Sequence, residues 1–181
     1  TIYREYVKLM LLDNRHSNLR ASLNMRIPLE PAEKSYYELS SYMLERNWQE
    51  AGQLATKSNN QNWPGFAELS SLIAREKEIK YKKPGVALAL STVIPGMGKV
   101  YTKDWKDGII SLLFVATNAY QSYRGFSKDG VNSAYGWVFG SLALGFYGGN
   151  LFGSWKAAKE YNQRAEDLIY QDVQNSVYNR F

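Results

Sequence analysis

The sequence predicts an all-α fold: short antiparallel helical repeats, then a membrane-associated helical hairpin, then an amphipathic C-terminal helix. Three observations carry that expectation. Apolar residues before position 80 recur at helical spacing, and two long stretches, Gly108–Tyr123 and Val131–Trp155, contain no charged residue. After Lys156 the chain turns polar but keeps a helical period through Ala158, Tyr161, Ala165, Leu168, Ile169 and Val173. A length of 181 residues allows one ordinary domain or two small ones.

Residues 1–24 read as one moderately amphipathic helix carrying Tyr6, Leu9, Met10, Leu19 and Leu23, closed by Ile27–Pro31 because Pro28 and Pro31 restrict the backbone. Ser35–Arg46 is a stronger helix, with Tyr36, Leu39, Tyr42 and Met43 on one side. Trp48–Lys57 follows with Ala51, Leu54 and Ala55. A polar turn at Ser58–Asn62 then leads to Pro64, a first-turn residue for a helix reaching about Lys80 through Phe66, Leu69, Leu72 and Ile73. These elements form an N-terminal domain, 1–83. Tyr37, Leu39, Tyr42, Trp48, Ala51 and Leu54 resemble the packing positions of a degenerate tetratricopeptide repeat, a unit of about 34 residues. In that reading Tyr36, Tyr42 and Trp48 are the partner-binding residues.

Residues 84–162 read as a hydrophobic membrane-associated module, and 163–181 as a C-terminal helical tail. Pro84–Gly98 has fifteen uncharged residues, short for a hydrocarbon core of about 30 Å, so it reads as an interfacial or re-entrant helix. The Pro95-Gly96-Met97-Gly98 string stops it, and a polar connector places Tyr101 and Trp105 at headgroup depth. Pro95, Gly96, Gly98, Tyr101 and Trp105 are thus the expected membrane-boundary turn. Val131–Trp155, 25 residues long, is the stronger spanning arm; Gly108–Tyr123 needs neighbouring residues to complete a span. Gly136 with Gly140, Gly145 with Gly149, and Gly149 with Gly153 stand four apart, a small-residue pattern for close helix packing, with Asn118 and Asn150 as interhelical hydrogen-bonding groups.

Charge and composition exclude several functions. The net charge of +5 forms no stripe dense enough to neutralise many phosphates, so no nucleic-acid partner is expected. Lys80, Lys82 and Lys83 precede the first apolar block, where an anionic lipid surface is the simpler partner. With 14 Tyr and 5 Trp, several bracketing the apolar runs, the chain has the aromatic content of a lipid–water boundary. It has no cysteine, hence no thiolate chemistry. It begins with Thr1, not Met, which leaves room for a leader ahead of it.

No catalytic constellation assembles. Gly96, Gly98 and Lys99 lack phosphate-loop spacing. His16, the single histidine, reads as a helix-surface residue, so neither a metal site nor a triad is expected. Asp104 and Asp107, interleaved with Lys103 and Lys106, read as local charge balance and as caps for the Gly108 arm. No cofactor is implied.

The strings Pro95-Gly96-Met97-Gly98-Lys99-Val100-Tyr101, Asp107-Gly108, Asn118-Ala119, Phe146-Tyr147-Gly148-Gly149-Asn150 and Ala157-Ala158-Lys159-Glu160-Tyr161-Asn162 resemble a group of poorly characterised bacterial proteins. In that group tetratricopeptide-like repeats precede a hydrophobic P-G-x-G-x-x-Y module. Lys99 stands where the group often has glutamine. The resemblance implies a non-enzymatic protein of the bacterial cell envelope, inner or outer membrane unspecified. The resulting expectation is a structural or assembly subunit whose partners are other envelope or membrane proteins and the lipid bilayer, with self-association allowed by the glycine stripes. The alternative is a small oligomeric transporter or channel component.

Overall fold

The structure, a computed structural model, describes residues 2–25, 28–58 and 63–180. Among them the chain is helical, with no strand. It divides into two compact units: residues 2–79 with 165–180 form the first, and 80–164 the second. The expected turn at Ile27–Pro31 lies partly outside the described residues, as does most of Ser58–Asn62.

The first unit contains α1 (Ile2–Leu12), α2 (His16–Leu23), α3 (Pro31–Leu44), α4 (Trp48–Lys57), α5 (Pro64–Lys77) and the last turns of α9 (Ala134–Tyr178). Where one helix was expected over residues 1–24, there are two. Asn14 breaks them with a left-handed φ of 54°, while Arg15 N–H closes back on the Met10 carbonyl at 2.9 Å. Asparagine tolerates that conformation, and the bond satisfies a carbonyl the helix end leaves open. Arg46 repeats the device after α3, with φ 58° and a 2.9 Å bond from Asn47 N–H to the Tyr42 carbonyl. Asn47 then starts α4, its side chain accepting the Glu50 N–H at 3.3 Å.

Val7, Leu11, Leu19, Leu39, Met43, Phe66 and Leu69 are fully buried in the core of this unit. Ile169, Val173 and Val177, four residues apart on α9, complete it. The separate tail expected at 163–181 is therefore part of the N-terminal unit. Exposed ion pairs line its path, Arg46–Asp167 at 2.7 Å, Arg75–Asp172 at 2.8 Å and Arg180–Glu68 at 2.6 Å. At about 0–1 kcal/mol each, such pairs fix register more than they stabilise. His16 is not on the surface: it is buried, Nδ1 has no hydrogen-bond partner, and burial pushes its pKa below the ordinary value.

The second unit consists of α6 (Pro84–Val93), α7 (Met97–Tyr101), α8 (Trp105–Asp129), a 3-10 turn (Gly130–Asn132) and the first part of α9. The expected polar connector is thus mostly helical. Asp104 holds the position before α8 without a side-chain cap bond and pairs instead with Arg164 at 3.6 Å. Helices α8 and α9 form an antiparallel hairpin. Phe114 meets Phe146 at 5.1 Å, Ser122 Oγ donates to the Gly136 carbonyl at 2.9 Å, and Phe126 meets Trp137 edge-on at 5.3 Å.

No described helix is long and apolar enough to cross a membrane. This corrects the expectation that Val131–Trp155 spans by itself. Its glycines, Ser133, Ser141, Tyr147 and Asn150 dilute the apolar run, and Asn118 and Gln121 do the same in the Gly108 arm.

Candidate functional site

The Pro-Gly-Met-Gly segment is the joint of the second unit. Gly96 adopts φ 89°, a left-handed conformation that disfavours any residue with a Cβ, and an added Cβ there would overlap the Gly108 carbonyl. Gly98 is buried where α7 crosses α6 and α9; its Cβ would overlap the Ala87 carbonyl and come within 2.7 Å of Ser154 Cβ. Gly98 N–H donates to Ser91 Oγ at 2.8 Å, and the Ser91 and Ser154 hydroxyls share a 2.6 Å hydrogen bond. Tyr101 accepts the Lys83 N–H through its hydroxyl at 3.3 Å. Asn162 clasps the Lys82 backbone from α9, accepting its N–H at 2.7 Å and donating to its carbonyl at 2.9 Å. The motif residues therefore tie four helices together. Pro95 is half-buried beside them, and Trp105 is exposed.

Burial in this unit is inverted. Among the described residues, its buried apolar side chains are four alanines, Ala87, Ala143, Ala157 and Ala158. Ser91, Thr102, Asn118, Ser122, Ser133, Asn150 and Ser154 are buried with them. The large apolar residues face outward: Leu144 is 73% exposed, Phe152 63%, Leu113 58% and Val138 57%, with Ile109, Ile110, Phe114, Leu142 and Phe146 also exposed. Large apolar side chains are the residues most often buried in water-soluble domains.

Aromatic and cationic residues collect at the two ends of the hairpin. At one end Lys106 lies 5.8 Å from the Trp105 ring, Lys159 3.8 Å from Trp155, Lys82 4.4 Å from Tyr101 and Lys103 5.9 Å from Tyr161. At the other end are Tyr123, Arg124, Lys128, Tyr135 and Trp137. Along α8, Trp105 and Tyr123 are eighteen residues apart, as are Trp137 and Trp155 along α9. Each interval is about 27 Å of helix.

The glycines expected to pack divide into two sets. Gly136 and Gly140 face α8, against Phe126 and Ser122 respectively, and Gly153 faces the Lys99 stem, where a Cβ would lie 3.3 Å from Cε. Among the described residues, a Cβ at Gly145 or Gly149 would meet nothing within 4 Å. Asn118 bonds within its own helix, to the Phe114 carbonyl at 2.7 Å, and not across the hairpin. Asn150 is buried with neither amide atom hydrogen-bonded, which costs about 1–3 kcal/mol in a closed protein interior. It lines a cleft of about 230 Å³ together with Lys99, Ser111, Ile110, Phe114 and Phe146.

In the first unit, Tyr36 belongs to the core and is not available to a partner. Tyr42 and Trp48 pack against that core half-buried, with Arg20 4.5 Å over the Tyr42 ring. The open apolar surface is on α1 instead, where Ile2, Tyr3, Tyr6, Leu9 and Leu12 are exposed while Val7, Met10 and Leu11 face inward. Sequence periodicity placed Tyr6 and Leu9 on the helix but could not say that α1 is apolar on both faces. The Lys99 cleft also escaped it, since α7 was read as a connector. Compared with protein-family models, curated proteins and solved structures, the chain matches none.

Proposed function

We propose that this chain is a non-catalytic structural or assembly subunit of a bacterial membrane-associated complex, its second unit seated in lipid and its first unit holding a protein partner. The inverted burial of the second unit carries the reading. In water, an apolar surface repays burial at roughly 25 cal/mol per Å², and a unit that hides alanines and serines while exposing leucines forgoes that stabilisation. In lipid the same arrangement is favourable, because small residues allow close packing and polar groups bond inside. What lipid meets is the outside of the packed helices, so inward-facing serines and Asn150 lower the hydropathy of each helix without facing the bilayer. The apolar band of about 27 Å between the aromatic ends is close to a hydrocarbon thickness of about 30 Å.

Seven lysines, Lys82, Lys83, Lys99, Lys103, Lys106, Lys156 and Lys159, lie toward the Trp105 end, against Arg124 and Lys128 at the other. In an inner membrane that asymmetry orients the Trp105 end toward the cytoplasm. The exposed α1 face supports the partner role, since a helix apolar on both faces needs cover on both. The test is alkaline-carbonate extraction of native membranes, followed by pull-down with intact chain and with Leu9→Lys. Retention in the pellet, with loss of a stable partner on Leu9→Lys, supports the reading. Release as intact soluble protein opposes the membrane half, and an unchanged set of partners opposes the α1 half.

A further inference from the structure

The cleft beside Lys99 has the features of a binding site for an anion with an apolar tail. Lys99 Nζ donates to Ser111 Oγ at 2.9 Å, and Ser111 spends its own proton on the Asp107 carbonyl at 2.8 Å. An ammonium has three N–H donors, so two remain for a ligand. Among the described residues no carboxylate pairs with Lys99. Asn150, 4% exposed, lines the same cleft, its amide buried and without a hydrogen-bond partner. Gly145 and Gly149 leave the wall open, since a Cβ at either meets nothing within 4 Å. The mouth is framed by Ile110, Phe114 and Phe146, each of them exposed.

We infer that this cleft binds the phosphodiester head of an anionic phospholipid at Lys99 Nζ, with an acyl chain lying over Ile110, Phe114 and Phe146. Reaching Lys99 Nζ draws the head inward of the aromatic level. Ser111 is six residues inward of Trp105 and Asn150 five inward of Trp155, about 8–9 Å along each helix. A lone cation below the aromatic level is costly unless an anion or a polar cavity receives it. The apolar arms of a second copy offer no anion at this depth, because Gly108–Tyr123 and Val131–Trp155 contain no carboxylate. The lipid source of the phosphate rests on the membrane reading above; the anion site rests on the cleft alone.

Native mass spectrometry of the full chain in non-ionic detergent tests this, with phosphatidylglycerol, phosphatidylcholine of the same acyl chains and inorganic phosphate as probes. Phosphatidylglycerol is expected to be retained roughly tenfold better than phosphatidylcholine, because both offer a phosphodiester to Lys99 but the choline ammonium cancels the net charge of the head and repels Lys99. Lys99→Gln removes that preference, Lys99→Arg keeps it, and Gly149→Leu, which fills the open wall, removes the adduct while helical content stays unchanged. Equal retention of the two lipids, or undiminished preference in Lys99→Gln, overturns the site. Inorganic phosphate displacing phosphatidylglycerol at equal concentration overturns the lipid assignment. Carbonate-released protein that still prefers phosphatidylglycerol defeats the membrane reading and leaves the site standing, and membrane-retained protein without the preference does the reverse.

Discussion

Gly96 and Gly108 touch backbone to backbone, so closely that a Cβ on Gly96 would overlap the Gly108 carbonyl and one on Gly108 would lie 2.7 Å from the Gly96 carbonyl oxygen. Gly96 also sits at φ 89°. Gly96→Ala is therefore expected to destabilise the second unit by about 2–4 kcal/mol, the sum of a left-handed backbone penalty and the displacement of α8. Gly149→Ala meets open space and improves helix propensity, so it should be neutral or stabilising by up to about 1 kcal/mol. Denaturant titration of both variants in mild detergent gives the contrast directly.

Ser91 and Ser154 share one hydrogen bond, but Ser91 alone receives the Gly98 N–H. Ser91→Ala leaves that buried N–H unpaired and should cost about 1–3 kcal/mol, whereas Ser154→Ala should cost about 1 kcal/mol. Equal losses would mean that the Gly98 bond contributes nothing measurable.

The end of α9 closes the first unit. Val173→Ala should destabilise it by roughly 2–3 kcal/mol, the loss of two buried methyl groups plus the cavity left behind. Leu168, on the same helix but 64% exposed, is the internal control, and Leu168→Ala should change stability by less than about 0.5 kcal/mol. The measurement is thermal unfolding followed by circular dichroism.

The first unit is expected to lose stability in acid through His16. Its pKa is lowered in the folded state, chiefly by burial, while Glu45 opposes the shift and Arg20 adds to it. The unfolded chain therefore binds the proton more readily than the folded one. The His16 contribution to stability is complete above the unfolded value of about 6.5 and declines as pH falls from there through the lower folded value. His16→Leu should flatten the stability–pH curve in that window.

The alternation of helices and turns was legible from period, proline placement and capping: α4 runs from Trp48 to Lys57 as its pattern predicts, and Pro64 opens α5. The two helical arms were legible too: Gly108–Tyr123 lies within α8, and Val131–Trp155 lies within α9 from Ala134 onward, its first three residues falling in the turn before that helix. Three things were not. The break at Asn14 depends on a left-handed residue that local composition does not single out. The membership of Ile169, Val173 and Val177 in the first unit depends on contacts more than a hundred residues away in sequence. Within the glycine set, spacing four apart is common to Gly136–Gly140 and Gly145–Gly149, yet only the first pair has a helix against it. Periodicity identifies a stripe; it does not say what the stripe faces.

The outward leucines of the second unit are proposed to face lipid. Because the chain has no cysteine, single-cysteine nitroxide labels can be placed without background. In reconstituted vesicles, labels at Leu113 and Leu144 should be accessible to molecular oxygen and shielded from a water-soluble nickel chelate, while labels at Lys106 and Lys128 show the opposite order. Nickel-chelate access at Leu113 and Leu144 equal to that at Lys106 would place the apolar face in water and contradict the account.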